Sequence, residues 1–278
     1  MVLLENLPEV IINKIKSYVI FTPNNKELKK AVNLWCEDKR KAYKLFGHIS
    51  SWDTKHVTNM SGLFCFKSNF NSVISSWDVS NVLSMYLMFF GANLFDQQLN
   101  NWNVKNVKSM MGMFCDTKSF NQPLDNWNVS NVNDMTEMFC NTESFNQPIN
   151  SWDVSSVTNM SSMFSIAKKF NQSLDSWNVN RVTNMRCMFS CTKLFNQPLN
   201  NLDVSNVIDM DSMFECAESF NQNINNWDIN KVKNMKRMFN CAIKFNQSLE
   251  NWDISNVTNM KEMFEGTPIK KLPKWYSN

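Results

Sequence analysis

The chain has 278 residues, 43% of them hydrophobic and 19% charged, and its formal net charge is +3. Enough apolar side chains are present to build a substantial core, so the composition excludes a disordered chain. The small net charge does not indicate nucleic acid or an anionic membrane as a partner, and we expect neither.

The chain begins with the apolar stretch MVLLENLPEVIINKIKSYVIF, which charged side chains interrupt. Glu5, Glu9, Lys14 and Lys16 break the continuous apolar core that a secretory signal needs. No stretch of the chain reaches the roughly 18 consecutive apolar residues of a membrane span. We therefore expect a cytoplasmic protein.

Residues 7 to 19, LPEVIINKIKSYV, carry apolar side chains at the spacing of one helical face. On the simpler interpretation, this amphipathic helix packs on the N-terminal end of the fold. The stretch is also similar to the opening of an F-box, in which Leu-Pro begins a short helix that docks on the Skp1 adaptor of a ubiquitin ligase. That resemblance implies an F-box-like segment at residues 7 to 36 with these Skp1-docking residues: Leu7, Pro8, Ile11 and Ile15.

A second amphipathic pattern follows in residues 24 to 36. Its apolar positions fall on one helical face, formed by Leu28, Ala31, Val32, Leu34 and Trp35. Repeat proteins need such a face to cover the open end of the first unit. The sequence therefore predicts a helical N-terminal cap over residues 1 to 44.

From residue 45 to residue 266 a 25-residue pattern recurs nine times without insertion or deletion. We call its Trp position the marker and number the repeats one to nine by these residues: Trp52, Trp77, Trp102, Trp127, Trp152, Trp177, Leu202, Trp227 and Trp252. Of the 19 Met residues, 17 lie eight or eleven positions after a marker, and Phe stands twelve after it in every repeat. This period is typical of stacked units, so we predict that the marker side chains form an internal structural column.

Repeat four illustrates the predicted unit. The L-x-x-L-x-L spacing of a leucine-rich repeat, which predicts a short parallel strand, is matched by Leu124, Trp127, Val129 and Val132. A helical spacing follows in Val132, Met135, Met138 and Phe139. The sequence therefore predicts an α/β repeat solenoid, a leucine-rich-repeat-like right-handed coil with one short strand and one short helix in each repeat.

The recurring pattern FNQPLxxWDVSNVTxMxxMF resembles the BspA-like leucine-rich repeats over residues 45 to 265. Residues 24 to 60 also resemble the segment that commonly precedes the first coil in that family. Its members have no known function and occur in mycoplasma lipoproteins, bacterial surface proteins, protists and large DNA viruses. The resemblance implies an interaction scaffold without catalytic activity, which would lie in the host cytoplasm if the protein is viral.

No residue pattern in the sequence is typical of catalysis, and we expect neither an enzyme nor a cofactor or metal site. His48 and His56 lack the spacing of a metal site or nucleophile relay, and the five Gly residues form no phosphate loop. Six of the eight Cys residues lie 13 or 14 positions after a marker, and we interpret them as reduced thiols. A disulfide ladder between repeats is the alternative. Asp or Asn directly after each marker favours turn hydrogen bonds over a calcium row.

Two faces of the predicted coil differ in their suitability for a partner. The outward residues of the predicted strand are nearly all Ser, Asn or Asp, and they lack the aromatic and Arg anchors of protein interfaces. Side chains vary between repeats on the predicted helix and the loop after it. We therefore place a partner-binding site on this variable face, at Tyr86, Glu137, Arg186, Lys236, Arg237 and Lys261.

The C-terminal end of the chain is basic, through Lys231, Lys233, Lys236, Arg237 and Lys244 in repeat eight and Lys270, Lys271 and Lys274 in the tail. We interpret this charge as a solvated end that prevents stacking on other molecules, with an acidic protein or nucleic acid as the alternative. Two prolines end the helical pattern, so we predict a C-terminal cap over residues 267 to 278.

These observations lead to one main hypothesis. The protein is a monomeric, non-catalytic scaffold for protein-protein interaction, whose partner the sequence does not identify. The first alternative is an F-box-type substrate receptor of a Skp1-cullin ubiquitin ligase. The second alternative is a surface adhesin, as bacterial relatives imply.

Overall fold

The computed structural model describes residues 20 to 276, and two helices open this part of the chain. Helix α1 spans Asn25–Glu37 and helix α2 spans Lys39–Phe46, followed by a 3-10 turn at Ile49–Ser51. Helix α1 begins with a capping box, because the Asn24 side chain accepts from the N–H of Glu27 at 3.0 Å and the Glu27 carboxylate accepts from the N–H of Asn24 at 3.0 Å. The amphipathic segment at residues 7 to 19, including the four Skp1-docking residues, lies outside the described residues.

Helix α1 lies across the first repeat. Its buried side chains are Leu28, Ala31, Val32 and Trp35, whereas Leu34 is half-buried. Near its start the Asn25 side chain accepts from the N–H of Thr58 at 2.9 Å, and near its end Trp35 Nε1 donates to Ser72 Oγ at 3.0 Å. The apolar face therefore covers the side of repeat one that no preceding repeat protects.

The nine repeats stack in parallel with a shift of 25 residues. A parallel bridge joins the seventh residue after the marker to its equivalent at all eight junctions, from Asn59 with Ser84 to Asn234 with Asn259. Every junction has the same five backbone hydrogen bonds, and four of the eight junctions have a sixth. The donors of the shared five are the N–H groups at positions 6, 8, 10, 12 and 14 after the marker, as in Met135 to the carbonyl of Asn159 at 3.1 Å. These bonds fix neighbouring repeats in register.

The predicted strand and helix of each repeat differ from the structure. Between residues 52 and 276 the chain forms tight turns and isolated bridges, with no regular helix or strand. In repeat four the N–H of Met138 bonds to the carbonyl of Met135 at 3.2 Å, whereas the N–H of Glu137 donates to Ser161 in the next repeat. A helix would keep both bonds within the segment. The helical spacing therefore identified the buried residues correctly, but the helical backbone conformation that it predicted is wrong.

Left-handed residues explain why the helix does not form. Positive φ angles occur ten and fourteen positions after the marker in every repeat, for example 57° at Glu137 and 52° at Asn141. A left-handed residue interrupts a right-handed helix and turns alternate N–H groups towards the next repeat. Of these eighteen positions, four are glycines: Gly62, Gly91, Gly112 and Gly266.

The core consists of side-chain columns that run through the stack. The marker rings of Trp127 and Trp152 lie parallel with centroids 6.3 Å apart. The Nε1 of Trp152 donates to the carbonyl of Leu124 in the preceding repeat at 2.9 Å, and six other marker Trp residues make the equivalent bond. Two Phe columns lie beside them, as in Phe139 and Phe164 at 5.8 Å.

Aromatic residues from outside the repeats cover both ends of the Trp column. At the start, Trp52 contacts Phe21, Trp35 and Phe46 through edge-on rings. At the end, Trp275 stacks on Trp252 at 6.3 Å, and its Nε1 donates to the carbonyl of Leu249 at 2.9 Å. Trp275 thus occupies the place that the marker of a further repeat would take.

Candidate functional site

The residues beside each marker form turns rather than a free binding face. In all nine repeats the Asp or Asn after the marker accepts from the N–H two residues later, as in Ser155 to Asp153 at 3.0 Å. The pKa of Asp153 is lowered because the hydroxyl and N–H of Ser155 both stabilise its carboxylate. The predicted turn hydrogen bonds are therefore confirmed.

A second polar row joins the repeats along the FNQ segments. The side-chain oxygen of Asn121 accepts from the N–H of Asn146 at 2.9 Å and from Gln147 Nε2 at 3.2 Å. Equivalent pairs connect repeat one to repeat eight, with Asp96 replacing Asn in repeat two. Because these groups bond to one another, they offer a partner few free donors or acceptors.

The variable residues lie instead along the turns that join the repeats. Tyr86, Arg186, Lys236 and Lys261 stand nine positions after their markers, and Glu137 and Arg237 stand ten after theirs. The structure places them on one face but distributes them over repeats two to nine. At about 4.8 Å per repeat, Tyr86 lies roughly 34 Å from Lys261 along the stack. They therefore share a face without forming one cluster.

Charged residues on the C-terminal half of this face pair with one another. Arg186 Nε lies 3.7 Å from a carboxylate oxygen of Asp211, and Lys261 lies 3.4 Å from Glu262. Arg237 also pairs with Glu262, and this contact lowers the pKa of the Glu262 carboxyl. Such exposed pairs contribute little to stability, but they balance the local charge.

The N-terminal half of the same face is apolar. We call this cluster the aromatic patch, and it consists of Phe66, Tyr86, Leu87, Phe90 and Met111. Phe66 is 72% exposed, and its ring contacts that of Phe90 edge-on at 4.9 Å. A largely exposed aromatic ring that packs on a half-buried one is typical of a surface that binds a partner.

Two glycines leave space for side chains of the aromatic patch. A Cβ atom at Gly91 would lie 2.9 Å from the Phe66 ring, and one at Gly112 would overlap the Leu87 side chain. The sequence pattern pointed to Tyr86 and to the variable position of Met111, but not to Phe66, Leu87 or Phe90. The distribution of glycine could have indicated this region, because three of the five glycines occur at left-handed positions of repeats one to three.

A groove of about 460 Å³ adjoins the aromatic patch between the end of α1 and repeat one. Phe66 lines both the groove and the patch, and Trp35 and Phe70 form the apolar part of the groove. Its rim carries Glu37 and Lys67, whose charged groups lie 4.0 Å apart. The groove therefore combines three aromatic side chains with charged and polar ones.

The described residues supply no metal or disulfide chemistry at this face. The eight cysteines are free thiols, and no group of three or more His, Cys, Asp or Glu within residues 20 to 276 is placed to hold a metal ion. Burial and the neighbouring thiols Cys191 and Cys241 raise the pKa of Cys216 to about 12. His48 Nδ1 lies 2.7 Å from Ser50 Oγ, a local turn contact.

Comparison with known proteins assigns the chain to a family. Residues 37–143, 121–210 and 173–275 each match the family described as "Mycoplasma protein of unknown function, DUF285". The chain belongs to this family. The DUF285 matches begin at residue 37, so the F-box-like segment at residues 7 to 36 lies outside them. Three overlapping matches mark the chain as a repeat protein of unknown function.

No curated protein and no solved structure matches the chain significantly. Within residues 20 to 276, the helices are too short or too polar to cross a bilayer. The DUF285 assignment therefore gives the repeat family but no substrate, partner or location.

Proposed function

We propose that the protein is a non-catalytic scaffold for protein-protein interaction, built as a right-handed, leucine-rich-repeat-like solenoid. Its partner binds at the aromatic patch and the adjoining groove. The observation that carries this proposal is the exposed Phe66 ring in contact with the half-buried Phe90, with the exposed Tyr86 in the same repeat as Phe90, on a frame whose aromatic columns are buried.

Physical chemistry favours the aromatic patch over the rest of the face. Aromatic side chains dominate the binding energy of protein interfaces, whereas exposed ion pairs contribute little. The backbone beneath the patch is bonded to both neighbouring repeats, as in Leu87 to Met111 at 2.9 Å and Gly62 to Tyr86 at 2.8 Å. A partner therefore meets a surface that is already ordered, which lowers the entropic cost of binding.

The groove suggests the chemistry of this partner. An apolar side chain fits against Trp35, Phe66 and Phe70, while Glu37 and Lys67 at the rim bind polar groups that flank it. An apolar anchor within a polar segment is a common arrangement for peptide recognition.

A matched pair of variants tests the proposal. Phe66→Ser with Tyr86→Ser removes two exposed rings from the patch, and the control Leu194→Ser with Ile243→Ser removes two exposed apolar residues from repeats six and eight. Cross-linking and mass spectrometry should recover the same partners with the parent chain and the control, and lose them with the patch variant. Equal recovery with all three proteins would refute this site.

Two alternatives from the sequence stay predictions. The F-box-type receptor rests on residues 7 to 19, and a version lacking residues 1 to 23 tests it by loss of Skp1 and cullin capture. The surface adhesin would place the protein outside the cytoplasm, which fractionation of expressing cells checks.

A further inference from the structure

The last repeat ends in a row of unpaired backbone donors. In repeats one to eight the N–H groups 8, 10, 12 and 14 positions after the marker all donate to carbonyls of the next repeat. In repeat nine these positions are Met260, Glu262, Phe264 and Gly266, and their N–H groups have no acceptor among residues 20 to 276. An edge of this kind is a template for pairing with another backbone.

An apolar strip lies beside this edge. Ile254, Val257 and Met260 are half-buried, whereas the equivalent residues of repeat eight are 0% to 2% exposed. The tail covers a different part of the end, where Trp275 stacks on Trp252 and Tyr276 contacts the Phe264 ring. Among residues 20 to 276, the tail therefore contacts the Phe264 ring but leaves the N–H groups of the donor row without an acceptor and the apolar strip half-exposed.

A second copy of this chain is a poor occupant of that edge. End-to-end stacking would bring repeat nine against repeat one, across which α1 lies from Thr58 to Ser72. Both ends are also basic. Residues 1 to 44 contain nine Lys or Arg and five Asp or Glu, and residues 231 to 278 contain nine and four. The two ends would repel each other.

The positive charge of the C-terminal end instead favours an acidic partner at this edge. Residues 231 to 278 carry a net charge of +5, whereas residues 45 to 230 carry −6, with ten Lys or Arg and sixteen Asp or Glu. Lys261, Lys270 and Lys271 are exposed, and Lys261 stands within the donor row, between Met260 and Glu262. Glu262 pairs with both Arg237 and Lys261, so these three groups together keep a net charge of +1.

We propose that the open edge of repeat nine binds an extended, acidic segment of a partner protein. The carbonyls of that segment accept from the N–H groups of Met260, Glu262, Phe264 and Gly266, so its backbone continues the ladder. Its apolar side chains cover Ile254, Val257 and Met260, and its carboxylates meet the surrounding lysines. This surface lies at the opposite end of the stack from the aromatic patch.

Hydrogen exchange of the full chain tests the backbone contact. In the free protein, the four amides of the donor row should exchange at least about tenfold faster than those of Met235, Arg237, Phe239 and Cys241 in repeat eight. The probe is a capped peptide of alternating Glu and Val with the length of a strand, about six residues. Saturation with this peptide should slow the four amides at least about tenfold. The same peptide with Lys in place of Glu should leave the exchange rates of the four amides unchanged.

Charge reversal tests the electrostatic part. Lys261→Glu with Lys270→Glu should weaken binding of the Glu-Val peptide at least about tenfold, whereas Lys41→Glu with Lys44→Glu at the other end should change it by less than about twofold. Binding without protection of the four amides, or equal weakening by both variants, overturns the proposal. So does a doubled mass of the free protein with the amides already protected, which would identify a second copy as the occupant. Retained peptide binding in Phe66→Ser with Tyr86→Ser separates this proposal from the aromatic patch.

Discussion

At the scale of the residue, each marker Trp links two repeats by two interactions. The ring of Trp152 stacks on Trp127, and its Nε1 donates to the carbonyl of Leu124. Leu202 occupies the same position in repeat seven and is 4% exposed, so the column tolerates an aliphatic side chain. Stacking volume and the hydrogen bond therefore make separable contributions to stability.

Substitution of Trp152 measures these contributions. Trp152→Ala should lower the free energy of unfolding by about 3 to 5 kcal/mol, because it opens a cavity in a column that neighbouring repeats share. Trp152→Leu should cost clearly less, since Leu202 already fills this space in repeat seven. Urea denaturation followed by circular dichroism provides the measurement. A loss below about 1 kcal/mol for the Ala variant would show that the ring does not support the core.

Adjacent serines test the left-handed positions. Ser162 has a φ of 55°, whereas Ser161 does not have a positive φ. Ser162→Gly should raise the free energy of unfolding by up to about 1 kcal/mol, because glycine adopts this conformation without the steric cost of a Cβ. Ser161→Gly should lower it by about 0.5 to 1 kcal/mol through backbone entropy. Thermal or urea unfolding of both variants measures these changes. A change of the same sign in the free energy of unfolding for both variants would contradict the argument.

At the scale of the element, the sequence predicted some features and missed others for definite reasons. The amphipathic pattern identified α1, whose four buried side chains were all named in advance. The i, i+3, i+6, i+7 spacing also identified Val132, Met135, Met138 and Phe139 as buried. It failed on the backbone, because side-chain spacing does not show whether N–H groups bond within a segment or to its neighbour. Tyr86 was predicted, but its grouping with Phe66 and Phe90 was missed because these residues come from different positions of two repeats.

The C-terminal tail offers a prediction at this scale. Trp275 continues the column over Trp252 and satisfies the carbonyl of Leu249, although its ring is half-buried. Trp275→Ala should destabilise repeat nine by about 2 kcal/mol and speed hydrogen exchange of residues 252 to 266. Lys274→Ala, next to it and exposed, should have no such effect. Unchanged exchange in the Trp275 variant would show that the tail does not cap the stack.

At the scale of the whole molecule, the eight junctions are close to equivalent. Each contains the same five backbone hydrogen bonds. Stacked Phe rings cross all eight, with centroids 5.3 to 5.8 Å apart in the column that includes Phe64 and Phe264. In such a stack, stability is approximately a sum of repeat and nearest-neighbour terms. The surface does not share this uniformity, because apolar side chains gather in repeats one to three and basic charge at the two ends.

Equivalent junctions predict that a whole repeat can be removed but half a repeat cannot. Deleting residues 140 to 164 joins two positions one period apart, so every column and ladder stays in register across the new junction. This variant should stay soluble and unfold cooperatively, with a smaller urea m-value because less surface is exposed on unfolding. Deleting residues 140 to 152 displaces Phe and Trp from their columns and should give an insoluble or unfolded chain. Circular dichroism and urea denaturation compare the two, and equal loss of structure in both would mean that contacts beyond neighbouring repeats hold the stack together.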